Sequence, residues 1–143
     1  MNEFRASFRA AAQTAIKGMS VPARLELGED RDLLVLPKQN EGGFEVQIEC
    51  FDYGAYPSAG GWHSGCWDVT ASQPEEMAAD IKEFVASVLS DAVLRVRYSN
   101  SKPYQWRLHY QFQGERTWDE TGLLFFNWFG SRSERTFCNG AAT

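Results

Sequence analysis

The sequence predicts an α+β fold, a largely antiparallel sheet of six to seven strands with two helices packed on one face. Three observations carry that expectation. Two segments space apolar residues at the three-and-four intervals of a helix, several others alternate with the period of a strand, and the strands follow one another through short connections. Two helices can cover only one face of such a sheet. At 143 residues, with 43% hydrophobic and 14% aromatic residues, residues 1–143 are expected to form a single domain with a substantial core.

The first helix is predicted from Phe4, Phe8, Ala11, Ala12, Ala15, Ile16 and Met19, with Arg5, Arg9 and Lys17 elsewhere on the wheel. The alanine-rich stripe is thin for a lipid anchor and suits packing on a sheet. Arg24–Leu27 and Leu33–Leu36 read as a hairpin around a charged turn. Phe44 to Cys50 alternates without a fault, placing Phe44, Val46, Ile48 and Cys50 inward and the glutamates in water. Tyr53 to Gly61, with Pro57 and paired glycines, reads as a loop, and Trp62 to Val69 as extended chain.

Ser72-Gln73-Pro74-Glu75 is a capping-box start, and the helix it opens is expected to run to about Leu89 with Met77, Ile81, Phe84, Val85 and Val88 on one face. Ala92 to Tyr98 and the alternating run Tyr104, Trp106, Leu108, Tyr110 and Phe112 are strands on either side of a Ser-Asn-Ser-Lys-Pro turn. Thr121 to Phe129 is apolar on both faces and therefore expected to be central. Glu134 to Phe137 is read as its bent continuation past Gly130.

The net charge of −5 is unevenly spread. Between Ser20 and Asp52, Glu26, Glu29, Asp30, Asp32, Glu41, Glu45, Glu49 and Asp52 face only Arg24, Arg31 and Lys38, whereas the stretch from Arg95 to Arg116 is basic. The acidic segment disfavours nucleic acid, because phosphates are bound by Lys and Arg. No run approaches the ~20 apolar residues of a membrane span, and Met1–Ser20 lacks the apolar centre of a secretory signal. A cytoplasmic protein without membrane association is expected. Cys50, Cys66 and Cys138 are widely spaced and odd in number, which suits reduced thiols better than disulfides or a paired metal site.

Chemistry is best sought around the glycine-rich loop, where Asp52, Tyr53, Trp62, His63, Cys66, Trp67 and Asp68 gather. One His-x-x-Cys pair supplies only half of a tetrahedral metal shell, and alternation puts His63 and Cys66 on opposite faces. A thiol nucleophile, Cys66 or Cys138, needs His63 or His109 as its base, and no spacing forces such a pair together. His109, between Arg107 and Gln111, reads as a solvated histidine. Phosphate-binding glycine loops, dinucleotide fingerprints, GxSxG and HExxH are absent, so no cofactor and no catalysis are expected.

The aromatics Tyr53, Tyr56, Trp62 and Trp67 are residues that bind partners or else cap the end of a sheet. The segments Gly61-Trp62-His63, Ser72 to Leu89, Lys102 to Trp106 and Gly122 to Gly130, with Asn139, resemble small bacterial immunity proteins of polymorphic toxin and type VI secretion systems. The resemblance covers about the last 80 residues. It implies a small acidic domain that blocks a toxin by direct binding, the acidic surface steering a basic partner. Glu45, Glu49, Asp52, Tyr53, Tyr56, Trp62 and His63 are the candidate contacts. The alternative is a small-ligand receptor or enzyme with a pocket near His63 and Asp68, lined by Trp62, Trp67 and Trp106; a third reading is an accessory domain. An edge position for Glu45–Cys50 would favour a homodimer by strand pairing.

Overall fold

A computed structural model describes residues 3–17, 21–63, 67–68, 74–122 and 129–140. The α+β class and the two helices are as expected, but the strands form two antiparallel sheets instead of one. The order along the chain is α1 (Glu3–Ala15), β1 (Arg24–Leu27), β2 (Arg31–Leu36), β3 (Val46–Phe51), β4 (Gly54–Ala59), β5 (Trp62–His63), β6 (Trp67–Asp68), α2 (Pro74–Val88), β7 (Val93–Ser99), β8 (Lys102–Phe112), β9 (Glu115–Gly122) and β10 (Arg132–Cys138).

The first sheet runs β1-β2-β3-β4-β5, and β6 also pairs with β4. Leu34, Leu36, Val46, Ile48, Cys50, Ala55 and Ala59 are its buried face, as the alternation of β3 requires. Two expectations fail here. The Tyr53–Gly61 segment is mostly strand, and β3 is an interior strand between β2 and β4, so it offers no free edge to a second copy. Pro57 is tolerated inside the sheet because of its register. The two-residue turn Asp52-Tyr53 makes Phe51 and Gly54 a hydrogen-bonded pair, and alternation then puts Pro57, opposite Ile48, where its missing N–H points away from β3. Gly60, at φ +60°, opens the two-residue turn into β5, a conformation that favours glycine.

The second sheet runs β10-β7-β8-β9. The expected strand Thr121–Phe129 overlaps β9 only at its first two residues; β9 occupies Glu115–Gly122 and lies at the edge, not the centre. Residues 123–128 lie outside the described chain. The last segment is a full strand, β10, laid against β7. Both hairpins turn on two residues with positive φ, Asn100 (50°) with Ser101 (67°) and Gln113 (52°) with Gly114 (78°). Such turns match the twist of the flanking strands. Serine has a steric penalty there that glycine lacks, so Ser101→Gly is expected to raise stability by about 0.5–1 kcal/mol in urea denaturation.

α1 covers the first sheet, α2 covers Leu108 and Tyr110 of the second, and the helices pack on each other. One apolar core, including Phe4, Phe8, Ile81 and Phe84, joins all four layers. The sheets meet at β5 without a ladder: the Thr121 hydroxyl accepts the His63 N–H (3.2 Å) and donates to the His63 carbonyl (3.0 Å). Trp62 plugs this seam, 0% exposed, its indole N–H donating to the Asp119 carbonyl at 3.1 Å. At the far end Asn139 accepts from the N–H groups of Gln39 and Phe44 and donates to the carbonyls of Phe44 and Val88. Among the described residues no helix is long and apolar enough to cross a membrane.

Candidate functional site

Half of the acidic segment is neutralised within the fold. Asp32, opposite Cys50 in the ladder and fully buried, binds two arginines of α1: Arg5 Nη2 at 2.9 Å, and Arg9 through Nε and Nη2, each at 2.8 Å. Arg5 also donates to the carbonyls of Gly28 and Glu29 (2.7 and 2.8 Å), which ties α1 to the β1–β2 turn. Burial alone pushes the Asp32 carboxyl up, but the hydrogen bonds from Arg9, Arg5 and the Gly28 N–H outweigh it and hold it at about 2. Burial also raises the neighbouring Cys50 thiol to about 12, with Asp32 adding to the effect, so this thiol is a core residue and not a nucleophile. Glu26 pairs with Arg24, Glu49 with Arg31, and Asp52 with Arg5. Glu29, Asp30, Glu41 and Glu45 stay exposed.

Register then gathers a surface. Arg31 lies opposite Phe51, so the β1–β2 turn (Gly28–Asp30) and the β3–β4 turn (Asp52-Tyr53) sit at the same end of the first sheet. Glu49 lies opposite both Leu33 and Tyr56, which puts it on the sheet face turned away from α1. On that face Phe51 stacks on Tyr53 (centroids 5.2 Å apart, 12° between planes) and meets Tyr56 edge-on at 5.9 Å. Tyr53 is 57% exposed and Tyr56 38%. The result is an aromatic cluster bordered by Glu49 and Asp52, with Glu29 and Asp30 at the same sheet end. The two turn residues were not among the candidate contacts, because only the β2–β3 register brings them near Tyr53.

The other candidates separate. Trp62 belongs to the core, which removes it as a surface contact. His63 is exposed on the same face as Tyr56 but opposite Ser58, farther from the turns. Glu45 precedes β3 at the other end of the sheet. Cys66 lies outside the described residues, as do the side chains of Trp67, Asp68 and Met77 and the capping residues Ser72 and Gln73. Cys138 and His109 share the outer face of the second sheet but with Val93 between them, about 10 Å apart by strand spacing and beyond proton-transfer range. The Cys138 thiol donates instead to the Ser90 carbonyl.

His109 is less solvated than its neighbours in sequence suggest. Its ring lies beside Trp118, its Nε2 is buried without a hydrogen-bond partner, and burial together with Arg95, Arg107 and Arg116 lowers its pKa. That face carries Arg107 over the Trp118 ring at 4.4 Å, Arg107 paired with Glu120, and Arg95 and Arg97 near Glu134. Among the described residues no three His, Cys, Asp or Glu side chains are grouped to hold a metal ion.

A cavity of about 400 Å³ opens between the sheets at the start of β3 and the end of β4, with Ser58, the cross-strand partner of His63, on its wall. Trp106 is on its wall as the pocket reading required, but Trp62 and His63 are not among its described lining residues. Comparison with protein-family models, curated proteins and solved structures finds no match.

Proposed function

We propose that the chain is a non-catalytic protein-binding domain, an immunity protein that neutralises a cognate bacterial toxin by direct binding. The aromatic cluster Phe51-Tyr53-Tyr56, exposed beside carboxylates at the turn end of the first sheet, is the observation that carries this reading. Tyrosines held by one another bring large contact area at little entropic cost, which is why they are common at the centres of interfaces. The carboxylates of Glu29, Asp30, Glu49 and Asp52 give that surface a sign, and a basic partner would be steered to it.

The buried Asp32 cluster serves this surface indirectly. By holding Arg5 against the Gly28 and Glu29 carbonyls it fixes the β1–β2 turn, and through Arg5 it reaches Asp52 at 3.6 Å. The contact surface is thus preorganised by the core.

Co-expression with the product of the adjacent gene tests the assignment in the cell. Growth of cells carrying that gene is expected to be restored by the wild-type chain and not by Tyr53→Ala/Tyr56→Ala. Unrelieved toxicity with both, or relief by both, would count against it.

A further inference from the structure

The cleft between the sheets is not used by the protein-binding surface, which lies at the other end of β3. We propose that this cleft binds a small organic cation, an aromatic or apolar body carrying a protonated amine. Its volume of about 400 Å³ is in the range of small-molecule sites.

Its floor is the inner face of the second sheet beyond the reach of α2. There Phe137 opposes Leu94, and in the next row of that face Val96 opposes Trp106. The backbone of Gly61 packs directly on the Trp106 indole, where a methyl group would lie 2.3 Å from the ring, so the ring is held in place. Tyr98 extends the apolar floor toward the mouth.

The facing wall is chemically one-sided. Gln47 donates its Nε2 to the Glu45 carboxylate at 2.9 Å, the only orientation a carboxylate accepts. This engages the amide's donor end and leaves its carbonyl oxygen, the second Glu45 oxygen and the Ser58 hydroxyl as further polar groups of the lining residues. Glu45 is exposed and forms no ion pair among the described residues, and no Lys or Arg is among the described lining residues. Arg135, on β10 opposite Val96, lines an adjoining recess with Tyr98, Ser101 and Ser133 and is not among the described residues lining the cleft. An amine would therefore meet a carboxylate beside aromatic rings, which attract cations. An anion would meet the Glu45 carboxylate.

Titration of the isotope-labelled chain with phenethylammonium, phenethyl alcohol and hydrocinnamate, followed by NMR, tests the proposal. Phenethylammonium is expected to shift the Trp106 indole and Gln47 side-chain signals saturably. The alcohol should bind about tenfold more weakly, and hydrocinnamate should not saturate. Glu45→Gln, at an exposed position, should keep the spectrum of the folded chain and reduce amine affinity to that of the alcohol. Tyr53→Ala/Tyr56→Ala should leave amine binding unchanged, which separates this site from the protein-binding surface. Equal affinity for amine and alcohol, an unchanged Glu45→Gln, or no saturable shift at Trp106 with any probe would overturn it.

Discussion

Asp32→Ala is expected to lower folding stability by about 3–5 kcal/mol, a fall of roughly 10 °C or more in the thermal midpoint. The carboxylate is fully buried between Arg5, itself 1% exposed, and the partly exposed Arg9. Removing it takes the nearest carboxylate from the buried Arg5 guanidinium, and weakening the compensation of an internal charge is far more costly than losing a surface pair. Arg9→Ala, which strands no buried cation, should cost less. The pH dependence follows from the depressed carboxyl. Its folded value of about 2 lies below the ordinary 3.8, so the stabilisation is fully present above about pH 4 and is lost as the pH falls through 2. Its size is about 2 kcal/mol. Urea denaturation across that window should show the loss in the wild type and not in Asp32→Ala. A cost below about 1 kcal/mol would mean that the cluster does not anchor α1.

Trp62→Ala is expected to cost about 3–5 kcal/mol, the largest effect of any single core truncation here. The ring stacks at 6.4 Å on Phe84 of α2 and meets Tyr110 of β8 edge-on at 6.0 Å, so one side chain of the first sheet fills the space under the second. No ladder joins β5 to β9, and the Trp62 indole with the Thr121 hydroxyl carries that seam. Trp62→Phe keeps most of the volume but loses the indole hydrogen bond to the Asp119 carbonyl, and should cost nearer 1 kcal/mol. If Trp62→Ala instead folded with wild-type stability and lost only partner binding, the residue would be a surface contact after all.

These two sites mark where the sequence could and could not be read. The alternation from Phe44 to Cys50 and the Pro74 helix start speak directly of local structure, because pleat and capping act within a few residues. Gly54–Ala59 does not: small residues and a proline have the composition of a loop, and the ladders with β3, β5 and β6 make them a strand. Trp62 stands between a glycine pair and a histidine, a setting that suggests an exposed loop aromatic, and its burial depends on α2 and β8, which come later in the chain. One long sheet was the simpler inference from meandering strands, yet α2, inserted between β6 and β7, separates two ladders. Of the candidate contacts, Glu49, Asp52, Tyr53 and Tyr56 do share one surface. Glu29 and Asp30 join them only through the pairing of Arg31 with Phe51, and Glu45 and Trp106 meet only across the gap between sheets.

The most direct test of the protein-binding surface is calorimetric titration of the adjacent gene's product, in catalytically inactivated form, with the wild-type chain and with Tyr53→Ala/Tyr56→Ala. The wild type should bind tightly, with affinity falling as salt is raised. The double variant should bind at least about 100-fold more weakly while losing only about 1 kcal/mol of stability. Equal affinities for the two, with both folded, would contradict the assignment of this surface.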